Sequence, residues 1–211
     1  VTGTSISGRV SLGEELQIYP TEKIAKVRGI QVHSESVEVV EAGHRTAINL
    51  QGVETLDIER GMVVATPGSL QPNYMLDCSL SYLSSNSKKL KHRTRVRVHL
   101  GTREVMGRVS LLDRDELQPG EDAGVQLLLE EAVVTWPGDK YVIRSYSPVM
   151  TIGGGEVLGN VSMKKRKRLA EKDRENNREI FSILQQGSLE DKILLLLRES
   201  RTRGLSFDQL A

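Results

Sequence analysis

The 211-residue chain holds one cysteine, Cys78. No internal disulfide can form, which suits a reducing compartment, and a cytoplasmic location is expected. Aromatic residues make up only 4%, and the longest apolar run is the five residues ILLLL from Ile193 to Leu197. A membrane-spanning helix needs about 20 apolar residues, so no membrane partner is expected. The four histidines, His33, His44, His92 and His99, show neither HExxH nor paired-cysteine spacing, and no metal site is expected. No GxxxxGK[ST] phosphate loop, DxxG or NKxD occurs, and no serine sits in a GxSxG elbow. The run GGGEVLG from Gly153 has GxGxxxG spacing without a following βαβ helix, and reads as a glycine-rich turn. These absences predict no catalytic residue and no enzyme activity within the chain. An initiator methionine and a signal-peptide core are also missing.

With 38% apolar and 27% charged residues, the composition is that of a globular protein with real cores. The net charge of +1 is unevenly spread. Residues 1–160 hold 17 Lys and Arg against 20 Asp and Glu, net −3, whereas residues 161–211 hold 12 against 8, net +4. An offset of that size supports nucleic-acid binding only weakly by itself.

The pattern predicts a mainly β fold of two consecutive barrels, then helices. Residues 1–70 are short β-rich runs punctuated by glycine, such as IAKVRGIQVH and RTAINLQGV, and PGSLQPN at 67–73 marks a boundary. Residues 71–160 form a second β module. Within it RTRVRVHL alternates, with Val96, Val98 and Leu100 on one face and Arg95, Arg97 and His99 on the other. The period changes at KKRKR, 164–168. Residues 161–186 read as a helical linker, because Glu171 to Glu179 are all polar and Glu171/Arg174 and Glu175/Arg178 are spaced i,i+3; a solvated connector is predicted. Residues 187–211 read as the start of a small helical domain. Ser188 is its N-cap, Leu189, Ile193, Leu196 and Leu197 share one face, and a further helix opens at Ser206.

Three phrases in order, VTGTSISGRVSLGEELQI, VRGIQVHSESVEVVEAGHRTAINLQGV and IERGMVVATPG, resemble the second domain of translational GTPases of the elongation factor Tu type. AGHRTAINLQG where general factors carry AG(E/D)NVGVLLRG, TIGGGEVL at 151–158, the KKRKR run and the helical continuation resemble the selenocysteine-specific branch. That resemblance implies a GTPase domain ahead of Val1, holding GTP and magnesium, with neither cofactor bound by these residues. It also implies selenocysteinyl-tRNA and the ribosome as partners, with the selenocysteine-insertion mRNA hairpin bound by winged-helix domains of which residues 187–211 would be the front. Two other readings stay open: the second and third domains of another translational GTPase, or a nucleic-acid-binding protein outside translation with a winged-helix tail.

In the family the second domain holds the aminoacyl end of the tRNA. Carried over by position, Arg45 stands where general factors place asparagine, His33 where they often have histidine, and Asn49 where they tend to have leucine. A thiol titrates at about 8.5 and a selenol is a stronger acid, so a selenocysteinyl group is anionic at neutral pH and a permanent guanidinium favours it. In the second module the basic stripe of Lys88, Lys89, Lys91, Arg93, Arg95 and Arg97 is the candidate for tRNA phosphates, or else a solvated strand face. KKRKR has the same two readings.

Overall fold

The computed structural model describes residues 1–159, 165–168 and 170–200. The helix expected from Ser206 lies outside the described residues. The chain divides into two compact units between Gln71 and Pro72.

In the first unit the strands are β1 (Thr2–Thr4), β2 (Arg9–Ser11), β3 (Glu15–Tyr19), β4 (Lys23–Val32), β5 (Glu35–Val37), β6 (Val39–Glu41), β7 (Arg45–Gln51) and β8 (Val63–Ala65). Six of them form an antiparallel sheet in the order β1-β7-β4-β3-β8, with β5 paired to β4, while β2 and β6 make a separate pair. Val10 of β2 and Val40 of β6 share one core with Leu16, Val27, Ile30 and Ile48, so the pair packs over the sheet. β4 buries Ala25 and Val27, then Ile30. The inward side changes from odd to even positions because the register with β7 slips between Val27 and Gly29. A bulge of one extra residue reverses the pleat in this way.

The second unit contains β9 (Asn73–Tyr82), β10 (Leu90–Lys91), β11 (Thr94–Leu100), β12 (Arg103–Leu111), β13 (Glu116–Leu117), β14 (Asp122–Val133), β15 (Lys140–Ser145) and β16 (Thr151–Gly159). Six of these close a barrel in the order β11-β12-β14-β9-β16-β15. Val96 and Val98 are fully buried in its core, and Leu100 packs against it, as the alternation of β11 predicts. The glycine run is not a turn. Gly153, Gly154 and Gly155 lie inside β16 and pair with β15 on one side and β9 on the other. A Cβ on Gly155 would stand 2.0 Å from the Ser79 carbonyl oxygen, and one on Gly154 2.6 Å from that of Tyr141. Only glycine lets the three backbones approach so closely.

Two helices follow, α1 (Glu171–Gln186) and α2 (Leu189–Ser200). The expectation of a solvated connector is corrected here. Ile180, Phe181 and Leu184 of α1 are buried with Leu112 of the barrel unit and Leu195 of α2. Gly124 of β14 supplies the seat, since a Cβ there would meet the Phe181 ring at 2.5 Å. The polar run takes part in the docking. Asn177 is buried and donates to the carbonyls of Leu112 (3.3 Å) and Lys167 (2.8 Å). Arg174 reaches Asp115 and Arg178 reaches Glu171, rather than pairing at i,i+3. Ser188 does cap α2: its hydroxyl accepts from the Asp191 N–H at 3.2 Å and donates to the Asp191 carboxylate at 2.7 Å. The buried leucine of α2 is Leu195, while Leu189 and Leu197 are exposed. In ILLLL every position is apolar, so the run itself does not say which face turns inward.

Candidate functional surfaces

β7 alternates along its length. Thr46 is buried and Ile48 and Leu50 pack on the core, so Arg45, Ala47 and Asn49 stand on the opposite face. Arg45 and Asn49 are exposed and share that face, about 13 Å apart along the strand. Arg45 sits between two neighbours, opposite Thr4 of β1 and one position from Thr46, which pairs with Val32 of β4. His33 follows Val32 directly. It occupies the turn between β4 and β5, with φ +52 at His33 and +70 at Ser34. Two positive φ values in a two-residue hairpin loop make a type I′ turn. His33 is therefore a turn residue at the same end of the sheet as Arg45, not a strand residue. The neighbouring outward positions are small or polar: Thr2, Thr4, Gly29 and Gln31. Among the described residues the Arg45 guanidinium has no carboxylate partner. Arg45 and Asn49 are thus exposed on one face of the sheet, and His33 is exposed in the turn at the Arg45 end of it.

The basic stripe of the second unit is divided. Arg95 and Arg97 project outward from β11, but each meets a carboxylate. Arg95 makes a two-pronged pair with Glu130 at 2.9 and 2.8 Å, and Arg97 pairs with Glu104. The two guanidinium groups also lie over the Tyr146 ring, at 5.2 and 5.8 Å from its centroid. Lys89 pairs with Glu116. These carboxylates come from β12, β13 and β14, so the basic residues are answered by acids on other strands, Glu130 lying 35 residues from Arg95. Lys88, Lys91 and Arg93 are exposed and have no ion-pair partner among the described residues. Arg93 heads β11 from a turn with φ +65.

Within KKRKR, Arg166 and Arg168 turn inward while Lys165 and Lys167 stay exposed. Asp77 of β9 and Gln126 of β14 are cross-strand partners on the outer face of the barrel, yet both are buried. Arg166 covers them. Its guanidinium donates to Asp77 at 2.6 and 3.1 Å, and its backbone N–H donates to the Gln126 side chain at 3.0 Å. Gln126 in turn donates to Asp77 at 3.1 Å, and Arg166 also reaches Glu199 of α2 at 2.9 Å. Although burial works against its charge, the bonds to Asp77 leave the Arg166 pKa above its ordinary value. Arg168 pairs with Asp115 and donates to the Arg114 carbonyl. Sequence reasoning missed this latch. Its one signal was Asp77, an isolated acid in the otherwise uncharged strand NYMLDCSLSY.

The backbone N–H groups of the glycine run lie within strand ladders on both sides and are not free to cradle phosphate. No group of three or more metal-ligating side chains occurs among the described residues. Among the same residues no helix is long and apolar enough to cross a membrane.

Comparison with known proteins follows the same division of the chain. Residues 1–65 match the family described as elongation factor Tu domain 2. Residues 78–164 match the beta-barrel domain of the selenocysteine-specific elongation factor. The selenocysteine-specific elongation factor of Desulfomicrobium baculatum is 41% identical over 210 residues, covering all of this chain and 32% of that protein. A crystal structure of the bacterial selenocysteine-specific elongation factor EF-Sec superposes with a TM-score of 0.75 at 25% identity, over 98% of this chain and 31% of the other. The chain thus spans about a third of the length of the relatives it matches. Two family domains stand here in tandem, and the likeness runs on through the helices: the chain belongs to the selenocysteine-specific elongation factors.

Proposed function

We propose that the chain is the tRNA-binding part of a translation factor that delivers selenocysteinyl-tRNA to the ribosome at recoded UGA codons. In this reading GTP and magnesium belong to a GTPase domain elsewhere in the factor, and the mRNA hairpin to further winged-helix domains. The factor works in the cytoplasm. The β7 face receives the aminoacyl end of the tRNA: Arg45 meets the selenolate, and His33 and Asn49 border it. Lys88, Lys91 and Arg93 take tRNA phosphates, with Lys89, Arg95 and Arg97 along the same stripe but already engaged by carboxylates.

The observation that carries this reading is Arg45 itself. It stands on a paired strand, exposed, with no carboxylate partner among the described residues. A guanidinium keeps its charge at any physiological pH and so attracts an anion more than a neutral group. The seryl precursor is neutral and the selenocysteinyl group is not. In the full-length factor Arg45→Asn should weaken binding of selenocysteinyl-tRNA about 10- to 100-fold, the effect of a charge-assisted contact of roughly 1.5 to 3 kcal/mol. Binding of seryl-tRNA at the same salt concentration should change much less. Equal losses for both tRNAs would remove Arg45 from the pocket.

A further inference from the structure

The two basic runs of the sequence lie far apart in the chain, but His92 of the first and Arg168 of the second meet at Asp115. The Asp115 carbonyl accepts the backbone N–H of His92 at 2.9 Å. The Asp115 carboxylate accepts Arg168, and Arg174 at 3.3 Å. Residues 165–168 therefore run alongside the turn that carries His92 and Arg93. Their backbone is held at three points. The Arg166 N–H is fixed by Gln126 at 3.0 Å, the Lys167 carbonyl by Asn177 at 2.8 Å and the Arg168 carbonyl by Arg174 at 3.2 Å. With the arginines turned inward, Lys165 and Lys167 project outward from this fixed backbone, about 6.6 Å apart by strand-like spacing. Arg108 of β12 reaches the same corner and donates to the Arg93 carbonyl at 3.2 Å.

The acids nearby are already engaged: Asp115 by Arg168 and Arg174, and Glu116 by Lys89. Lys165, Lys167 and Arg93 keep their charge uncompensated by any ion pair among the described residues. His92 precedes Arg93 in the same turn. Burial first, and then the positive charges of Arg168, Arg93 and Lys165, hold its imidazole below the ordinary value, although a bond to the Leu111 carbonyl works the other way.

We propose that Arg93, Lys165 and Lys167 form one anion-binding surface, shared between the β10–β11 turn and the segment that follows the barrel, and that its partner is the phosphodiester backbone of RNA. No exposed large apolar side chain lies in either run. A membrane-seated surface would need apolar residues to enter the acyl boundary, whereas a phosphate ladder needs only spaced cations. The proposal rests on the reading of the chain as part of an RNA-handling factor. It adds that, of residues 165–168, the outward lysines serve the ligand and the inward arginines serve the fold.

The test uses the full-length factor and a generic RNA duplex without an aminoacyl group, titrated between about 50 and 200 mM salt. Lys165→Ala/Lys167→Ala removes the tail lysines, and Arg93→Asn removes the turn cation with a residue that tolerates positive φ. Each lost phosphate contact should lower the slope of log affinity against log salt by roughly 0.7 to 0.9, and the triple variant by about 2 to 3. If the wild type binds the duplex and the lysine pair changes neither slope nor affinity, the shared surface is wrong while the tRNA reading stands. A wild type that does not bind RNA at all overturns both. Phosphatidylserine vesicles that compete as strongly as RNA would assign the surface to membrane instead and overturn the proposal.

Discussion

The outer face of β7 in the first unit and the outer face of β9 and β14 in the second are written in the same two-residue alternation. Each strand sends apolar side chains to a core and polar ones outward. Their surroundings differ. Arg45 and Asn49 remain exposed, while Asp77 and Gln126 are buried beneath Arg166, and Gly124 beneath Phe181. The alternation thus determines which way a side chain points, but not whether that side is wet. An arginine on an open face is available to a ligand, whereas one placed over a buried acid is committed to the fold.

The largest effect should come from uncovering the buried face. Arg166→Met takes the guanidinium away from the buried Asp77 carboxylate, and breaking a buried pair from one side costs about 3 to 5 kcal/mol. Urea unfolding of the barrel unit with its helices should show a loss of that size. Adding Asp77→Leu should restore a large part of it, because two apolar groups need no mutual compensation, though the Gln126 amide N–H then loses its Asp77 acceptor while the backbone N–H of residue 166 still donates to the Gln126 oxygen. If Arg166→Met costs less than about 1 kcal/mol, the value typical of an exposed pair, the latch is not the buried feature described here.

The seat of α1 gives the next effect. Gly124→Ala places a methyl against the Phe181 ring, and overpacking of this kind costs about 1 to 3 kcal/mol. Phe181→Leu in the same background should relieve part of that strain, so the double variant should be less destabilised than the two single changes added together. Additive losses would show that Phe181 does not rest on Gly124.

What was legible in the sequence follows the reach of its signals. Strand alternation found Val96 and Val98, and a serine before an apolar run found the Ser188 cap, because both signals act over a few residues. The solvated connector, the exposed KKRKR and the free basic stripe were read from local charge. In each case the deciding partner lay far along the chain: Asp77 and Asp115 for the arginines of KKRKR, Glu130 for Arg95, and Leu112 for α1. His33 was placed in a strand because the run before it is strand-like, and the tight turn of His33 and Ser34 carries no glycine to announce it. The candidate aminoacyl residues came from family resemblance. The structure puts Arg45 and Asn49 on one face, which a strand period of two also requires of positions four apart.

A smaller contrast separates paired from unpaired cations within the second unit. Arg95 is partly exposed and held by Glu130 at the surface, so replacing it by Gln should change stability by roughly 0.2 to 1 kcal/mol, and less in high salt. Its effect on RNA affinity should be smaller than that of Arg93→Asn, because Arg95 must first leave its carboxylate. Comparable losses from both variants would mean that the Glu130 pair opens readily when RNA binds.

The smallest expected effect is that of Arg45→Asn on folding itself. The side chain is exposed and makes no ion pair among the described residues, and Thr46, Ile48 and Leu50 keep β7 on its core without it. Surface changes away from caps, turns and buried groups fall within about 0.5 kcal/mol. Asparagine is a poorer strand former than arginine, so any change within that range should be a slight loss. Thermal unfolding of the first unit should therefore be almost superimposable for the two forms. This near-identity gives the tRNA comparison its meaning. A selective loss of selenocysteinyl-tRNA from a unit of unchanged stability can only arise at the ligand, while a clear drop in stability would place Arg45 among the residues that, like Arg166, serve the fold.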